Sequence, residues 1–475
     1  MFPGQRGPWV RLPSFLQGGA GGGSSHPGTH DQKRIHLVRR IGTLLLLGCL
    51  VLPAVGQPAS PSDQASALAY VQTLKKLTDV MVGDVTGPCA AARYYAYANL
   101  AAYEIIVRQA PANGSFSDLL KGYPDLSRPE AGPPVDVPFA SRYALLRMGE
   151  ELLPSGHTLE PARTALLREA EGQLGAATLE ASRTYAEGVV KALVGYAAKD
   201  GYVKTSGYLR YTPLADAGAW QPTPPGYLEA YEPHWGTVRA FLLDSAAQFR
   251  PAPPVAYSEK KDSPFYRLAR EVHQTTTALT PEQTHIANFW DCNPFFLKQK
   301  GHVSFGTKKI SPGGHWMGIT GIACAKKGLS LAETVRWHAL VAVTMSDAFI
   351  SCWNEKYRSN RVRPETFINA HLDPDWRPLL QTPPFPEYSS GHSVVSGAVS
   401  ILLTTLAGED FAYTDTTEVE FGVPARSFSS FRQAAREAAI SRLYGGIHFR
   451  DAVENGLVQG EAIGHYVVRK LKLKQ

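Results

Sequence analysis

Much of what would place this chain in a familiar class is missing from it. Five cysteines in 475 residues, none in a C-x-x-C pair, are too few for a disulfide scaffold. H-E-x-x-H, a Walker A loop and G-x-S-x-G do not occur, and the glycine cluster near residue 20 lies outside any strand–helix context for a dinucleotide loop. No internal repeat or long low-complexity stretch follows residue 60, and alternating strand-like runs are scarce. The long apolar run Ile41–Val55 is too short for a comfortable membrane span. Charged residues make up 19% and hydrophobic ones 44%, with a mean hydropathy of −0.17. These values exclude general disorder, a collagen-like chain and a multi-spanning membrane protein.

The net charge of +6 and pI near 8.9 invite a nucleic-acid or anionic-membrane reading. Its distribution removes the invitation. Residues 1–57 hold Arg6, Arg11, Lys33, Arg34, Arg39 and Arg40 against the single acid Asp31, so they carry +5 of the total. From Arg39 this leader reads as a secretory signal: a basic start, the apolar run, then Ala54-Val55-Gly56 as a small-residue cleavage site. Residues 1–37 show no periodicity and read as disordered or untranslated, with a start nearer Val38. The expectation is an exported protein, periplasmic or extracellular, without stable membrane insertion or nucleic-acid binding. In an oxidising compartment Cys89, Cys292, Cys324 and Cys352 could pair.

Apolar residues in the rest of the chain recur at helical spacing, which predicts an all-α protein of helical bundles. The expected helices cover about 62–84, 89–110, 137–153, 159–199, 265–278, 281–293, 330–362, 391–408, 430–444 and 447–471. Ser330 and Glu333 form a capping box at the start of the central helix, and Pro364 is its expected stop. The Pro-rich stretch 250–264 divides an N-terminal helical half, 58–249, from a C-terminal domain, 265–475. Asp347 falls in an apolar helix and needs a partner, with a pocket arginine as the candidate. His234, His302 and His315 are assigned to packing in Gly/Pro-rich loops.

Three clusters in the C-terminal domain carry chemistry, and they place an anion site in that bundle. Lys356 and Arg363 are seven apart, so one helix would project both cations from nearly the same face. Ser390-Gly391-His392 opens an apolar helix: a hydroxyl, a backbone an anion can approach closely, and a histidine for proton transfer. Arg442 and His448 are six apart, on different faces of a continuous helix, but Gly445-Gly446 between them is a natural break that lets both converge.

Together these read K-x6-R-P, S-G-H and S-R-x5-H, which resembles the superfamily of type 2 phosphatidic acid phosphatases, bacterial acid phosphatases and vanadium-dependent haloperoxidases. Ser389 stands where the pattern has proline. Looser likeness covers Arg93–Glu104, Pro233–Phe241 and Phe289–Trp290, and is greatest to the soluble, all-helical haloperoxidase branch. The resemblance implies that Lys356, Arg363, Ser390, Gly391 and Arg442 hold an oxyanion, that His448 bonds its central atom, and that His392 is the acid–base. The phosphatase pattern continues H-x3-D, yet position 452 is alanine. Asp451 and Glu454 are the neighbouring carboxylates, and which of them orients His448 stays open.

The resemblance allows two reactions at one pocket. In a phosphatase, His448 attacks phosphorus to give a phosphohistidine and His392 protonates the leaving alcohol. In a haloperoxidase, His448 holds vanadate, and hydrogen peroxide oxidises a halide, iodide or bromide, for transfer to an organic acceptor. Trp353 and Phe385 match aromatic positions of the haloperoxidase halide site, with core packing as the competing account. The long helical N-terminal half also favours the haloperoxidase, so that is the expected activity, with vanadate as cofactor and a phosphomonoester hydrolase as the alternative. An anion-binding protein without turnover is the third reading, and a homo-oligomer stays open.

Overall fold

The computed structural model describes residues 59–109, 116–126, 133–300, 303–306 and 309–473. The proposed leader, Cys49 and His302 therefore lie outside the described residues. Gln57–Gln475 forms one compact unit.

Its elements are almost all helices. The first half contains α1 (Pro61–Gly83), α2 (Pro88–Gln109), α3 (Val137–Leu152), α4 (Glu160–Glu171), α5 (Ala176–Ala197) and the single turn α6 (Tyr202–Thr205). A largely irregular stretch leads to α7 (Pro264–Thr277), α8 (Pro281–Phe289), α9 (Pro312–Lys327), α10 (Leu331–Ser359), α11 (Pro364–His371), α12 (Gly391–Ala407), α13 (Phe431–Tyr444) and α14 (Arg450–Lys470). Two short antiparallel ribbons decorate the bundle: β1 (Leu297–Lys300) with β2 (Val303–Gly306), and β3 (Tyr413–Asp415) with β4 (Arg426–Phe428). The all-α expectation holds. No helix among the described residues is long and apolar enough to cross a membrane.

The central helix α10 packs on α2 from the first half and on α9 and α12 from the second. Residues of both halves, among them Tyr95, Leu100, Val343 and Val399, share one apolar core. Burying an aliphatic or aromatic side chain of this kind contributes about 1.5–3 kcal/mol, so the joint core binds the two halves strongly. Asp347, in the middle of α10, is satisfied by this junction and not by a pocket arginine. Its carboxylate accepts from the backbone N–H groups of Phe241, Leu242 and Leu243 at 2.6, 2.6 and 2.9 Å. Burial nevertheless raises its pKa to about 6.

Several helix boundaries differ from the periodicity reading, each for a local reason. The expected helix 159–199 divides into α4 and α5 around Gly172 and Gly175. Ser330 does cap α10, accepting from Glu333 N at 3.1 Å, but α10 ends at Ser359. Asn360 takes the left-handed conformation there (φ 47°) and terminates the helix before Pro364 is reached. Helix α9 is absent from the periodicity reading because Gly313, Gly314, Gly318 and Gly321 lower its intrinsic propensity. Tertiary packing overrides that propensity: a Cβ on Gly318 would sit 2.3 Å from Thr417 and one on Gly321 2.9 Å from Val71. His315 consequently lies on a buried helix and not in a loop.

The four described cysteines, Cys89, Cys292, Cys324 and Cys352, are buried free thiols.

Candidate active site

Two helix starts meet at one end of the bundle. Helix α14 carries Gly456, Gly460 and Gly464 one turn apart, facing α12. A Cβ on Gly460 would lie 2.1 Å from the Val394 carbonyl oxygen and one on Gly464 2.6 Å from that of Ala398. Only bare backbone permits this approach, and it brings Ser390 at the start of α12 to Ala452 in the first turn of α14 (N–H donating to O, 3.2 Å). His392 and His448 are thereby delivered to the same place.

The Gly445-Gly446 break does what its position suggests. Helix α13 stops at Tyr444, Gly446 adopts φ 77°, and the chain turns so that Arg442 and His448 line one cavity. Gly391, His392, Trp353 and Phe385 line it too, with Phe349, Pro383 and Cys292 among the remaining walls. The cavity measures about 40 Å³, on the order of three water positions, a volume suited to one small polyatomic ion.

Arg363 reaches the site by another route than expected. Because α10 ends at Ser359, Lys356 and Arg363 do not share a helix face; Arg363 is the N-cap residue of α11. Its Nε donates to Phe385 O at 2.9 Å and its Nη1 to Ile447 O at 2.8 Å, while Nη1 also lies 3.3 Å from His448 Nε2. Lys356, Arg363 and Ser390 flank the cavity without lining it, Arg363 reaching it through its contact with His448. The Lys356 ammonium uses three donors on carbonyl oxygens of the approach loop: Pro386 at 3.0 Å, Glu387 at 3.1 Å and Ser389 at 2.6 Å. Ser390 caps α12, its Oγ accepting from Ser393 N. Ser389, in the proline position of the motif, anchors the loop by donating from Oγ to Gln459 on α14 at 2.7 Å.

Arg442 Nη2 donates to the carbonyls of Trp290 (2.7 Å) and Ala287 (3.3 Å). Lys356, Arg363 and Arg442 are 0, 0 and 1% exposed, so three cations are withdrawn from water around one small space. Desolvation lowers Lys356 to about 8 and Arg363 to about 10, and lowers Arg442 as well. His448 and His392 are both held well below the ordinary imidazole value, first by burial and then by the cations: Arg363, Lys356 and Arg442 for His448, and Arg442 for His392.

The carboxylate that orients His448 is neither Asp451 nor Glu454. Glu387 Oε1 accepts from His448 Nδ1 at 2.8 Å and from Phe449 N at 3.0 Å. Its other oxygen accepts from Arg361 Nε at 2.6 Å, and Arg361 in turn holds Asp451 bidentately at 2.6 and 2.8 Å. Asp451 thus acts one residue removed, and Glu454 meets Arg450 on the surface. With Nδ1 as donor, the lone pair of neutral His448 lies on Nε2, on the Arg363 side. Sequence reasoning missed Glu387 and Arg361 because H-x3-D points downstream of His448. The available signal was an acid in the loop Phe385-Pro386-Glu387-Tyr388, between two cationic motifs.

Known proteins match this description. Residues 336–474 match the family model of the VCPO second helical-bundle domain. The solved structure of the first bacterial vanadium-dependent iodoperoxidase superposes with a TM-score of 0.80 at 43% identity, covering 86% of this chain and 96% of that one. The chain belongs to the vanadium-dependent haloperoxidases. It is an enzyme of that class. A bacterial vanadium-dependent chloroperoxidase shares the fold in holo form (TM-score 0.62, 17% identity, 81% of this chain and 93% of that one) and in apo form (0.63, 17%, 82% and 96%). No curated protein matches the chain.

Vanadate, the cofactor implied by this family, fits the residues present. Arg363 Nη2 and His392 Nε2 are buried and have no partner within the protein. Buried donors and acceptors of this kind are normally satisfied, and an oxyanion in the adjoining cavity would satisfy them.

Proposed function

We propose that this enzyme oxidises a halide, iodide or bromide, with hydrogen peroxide at a vanadate held by His448. The observation that carries the reading is the convergence of a neutral histidine lone pair, buried cations and two unpartnered polar atoms on a cavity of single-ion size. The likeness to an iodoperoxidase supports iodide as the halide.

Bound vanadate supplies the Lewis-acid activation that makes peroxide oxygen electrophilic towards halide. The chain provides the rest. His448 Nε2 would hold the central atom, and Glu387 keeps the proton on Nδ1 so that the lone pair stays on Nε2. Arg363 and Arg442 neutralise oxyanion charge from fixed positions, while Lys356 adds its charge and secures the loop behind Ser390 and Gly391. His392, neutral through burial, accepts a proton at Nε2 as peroxide enters and returns it as water leaves. Trp353 and Phe385, with ring centroids 4.9 Å apart, present an apolar wall that strips water from a halide. The oxidised halide passes to an organic acceptor.

The leader supports export to the periplasm or cell exterior; a mature N-terminus upstream of residue 40 would refute it. The activity is tested by incubating purified protein with vanadate, peroxide and iodide or bromide, and separately with p-nitrophenyl phosphate without vanadate. Vanadate-dependent halide oxidation is expected. Phosphate-ester hydrolysis without halide oxidation would overturn the proposal, and absence of both activities would favour an anion-binding protein.

A further inference from the structure

Behind the cavity wall lies a second polar cluster that the reaction does not use. Cys292, on the segment after α8, meets His315 on α9 and Glu418 in the turn after β3. Their exposures are 2, 0 and 6%, and Asp415 beside them is fully buried. Cys292 Sγ lies 3.3 Å from His315 Nδ1 and 3.7 Å from Glu418 Oε1, and those two atoms are 3.3 Å apart. His315 Nε2 is 2.8 Å from Asp415 Oδ2, and its ring stacks on Trp290 with centroids 4.6 Å apart. A thiol and two carboxylates thus surround one buried imidazole.

We propose that Cys292 Sγ, His315 Nδ1 and Glu418 Oε1 bind a zinc ion. Zinc bonds of about 2.0–2.3 Å opened at tetrahedral angles separate ligand atoms by roughly 3.3–3.6 Å. The observed sides of 3.3, 3.3 and 3.7 Å are close to this, and a point about 2.0–2.1 Å from Nδ1 and Oε1 can lie about 2.3 Å from Sγ. A soft thiolate, an imidazole and a carboxylate form a donor set that selects zinc over magnesium or calcium. Asp415 completes the arrangement by accepting from Nε2, the imidazole nitrogen that faces away from the metal, so that Nδ1 is the nitrogen that gives up its proton on coordination. Metal entry displaces the thiol proton and the Nδ1 proton, and a water takes the fourth position. The ion would pin Cys292 and the neighbouring Trp290, whose carbonyl holds Arg442, so its role is to position the pocket wall.

The inference does not rest on the vanadate reading, and its test keeps the two apart. Full-length protein is equilibrated with zinc, desalted, and its zinc and vanadium contents are measured separately by mass spectrometry. About one zinc per chain is expected, with a zinc-dependent rise in melting temperature. Cobalt substituted for zinc should give a thiolate-to-cobalt charge-transfer band and tetrahedral d–d absorption. Cys292→Ala and Glu418→Gln should each weaken zinc retention at least about a hundredfold, whereas His448→Ala should keep zinc while losing vanadium. Far-ultraviolet circular dichroism confirms that each variant is folded, and the cobalt spectrum of the unaltered protein decides the matter if a variant is not. Retention below a tenth of about one equivalent, zinc bound by either ligand variant as tightly as by the unaltered protein, or a cobalt spectrum without thiolate character would overturn the site.

Discussion

Two buried histidines a short distance apart in this bundle live in opposite electrostatic worlds. Around His448 stand Arg363, Lys356, Arg442 and Arg361, and burial in their company holds the imidazole well below its ordinary pKa. Around His315 stand Asp415, Cys292 and Glu418. There burial alone would lower the value, but Asp415 and then Cys292 hold it well above. One carboxylate touches each ring: Glu387 bonds Nδ1 of His448 and Asp415 bonds Nε2 of His315. The comparison teaches that a histidine's own hydrogen bond sets only its tautomer. The surplus charge beyond that bond sets the direction in which each ring's pKa moves.

The largest effect that could break this comparison belongs to His448→Ala. Halide oxidation should fall to background and vanadate affinity by more than about a thousandfold, because the central-atom bond disappears while the cations remain. Retention of vanadate by this variant, measured by equilibrium dialysis, would return His448 to a packing role. Next comes Glu387→Gln, which leaves Arg361 with Asp451 as its charged partner and puts a neutral, weaker acceptor behind His448. About 3–5 kcal/mol of folding stability and about 10–100-fold in vanadate affinity should be lost. Denaturant unfolding and vanadate titration read the two losses independently, and a shift in neither would exclude the relay.

The pH dependence is smaller and turns on Lys356, whose ordinary value of 10.5 is lowered to about 8 by burial. A lowered lysine is charged below that value and neutral above it, and a bound oxyanion favours the charged form. Vanadate affinity should therefore be fully present below about pH 8 and decline above it by up to about tenfold per unit, after correction for vanadate's own protonation. Lys356→Arg supplies the correction, since arginine stays charged throughout. Parallel profiles for the two proteins would mean that Lys356 does not couple to the anion. The smallest change is Asp451→Asn. Arg361 keeps Glu387, so about 1–2 kcal/mol of stability and less than about threefold in vanadate affinity should go. An effect equal to that of Glu387→Gln would reverse their assigned order along the relay.

The split between what was legible and what was not follows residue by residue. The motifs that hold Lys356, Arg363, Ser390, Gly391, His392, Arg442 and His448 were legible because their intervals are short, and the structure brings Gly391, His392, Arg442 and His448 to the walls of one cavity with the other three beside it. Gly445-Gly446 announced the turn between the last two for the same reason. The shared helix face of Lys356 and Arg363 was misread because Asn360 ends α10, a left-handed cap that periodicity does not register. Helix α9 was missed because its glycines argue against a helix locally and are required only by Thr417 and Val71 pressing on it. Glu387 escaped because no spacing links it to His448; 61 residues separate the partners.

The sequence by itself determined the helical class and the cationic motifs, since these depend on residue type and on intervals of a few residues. Tertiary structure alone decided which carboxylate meets His448, which backbone amides satisfy Asp347, and that Cys292, His315 and Glu418 come within bonding distance of one point. Those contacts join segments far apart in the chain. What brings them together is the burial of apolar helix faces and the close seating of α14 on α12, and neither leaves a local mark on the residues it unites.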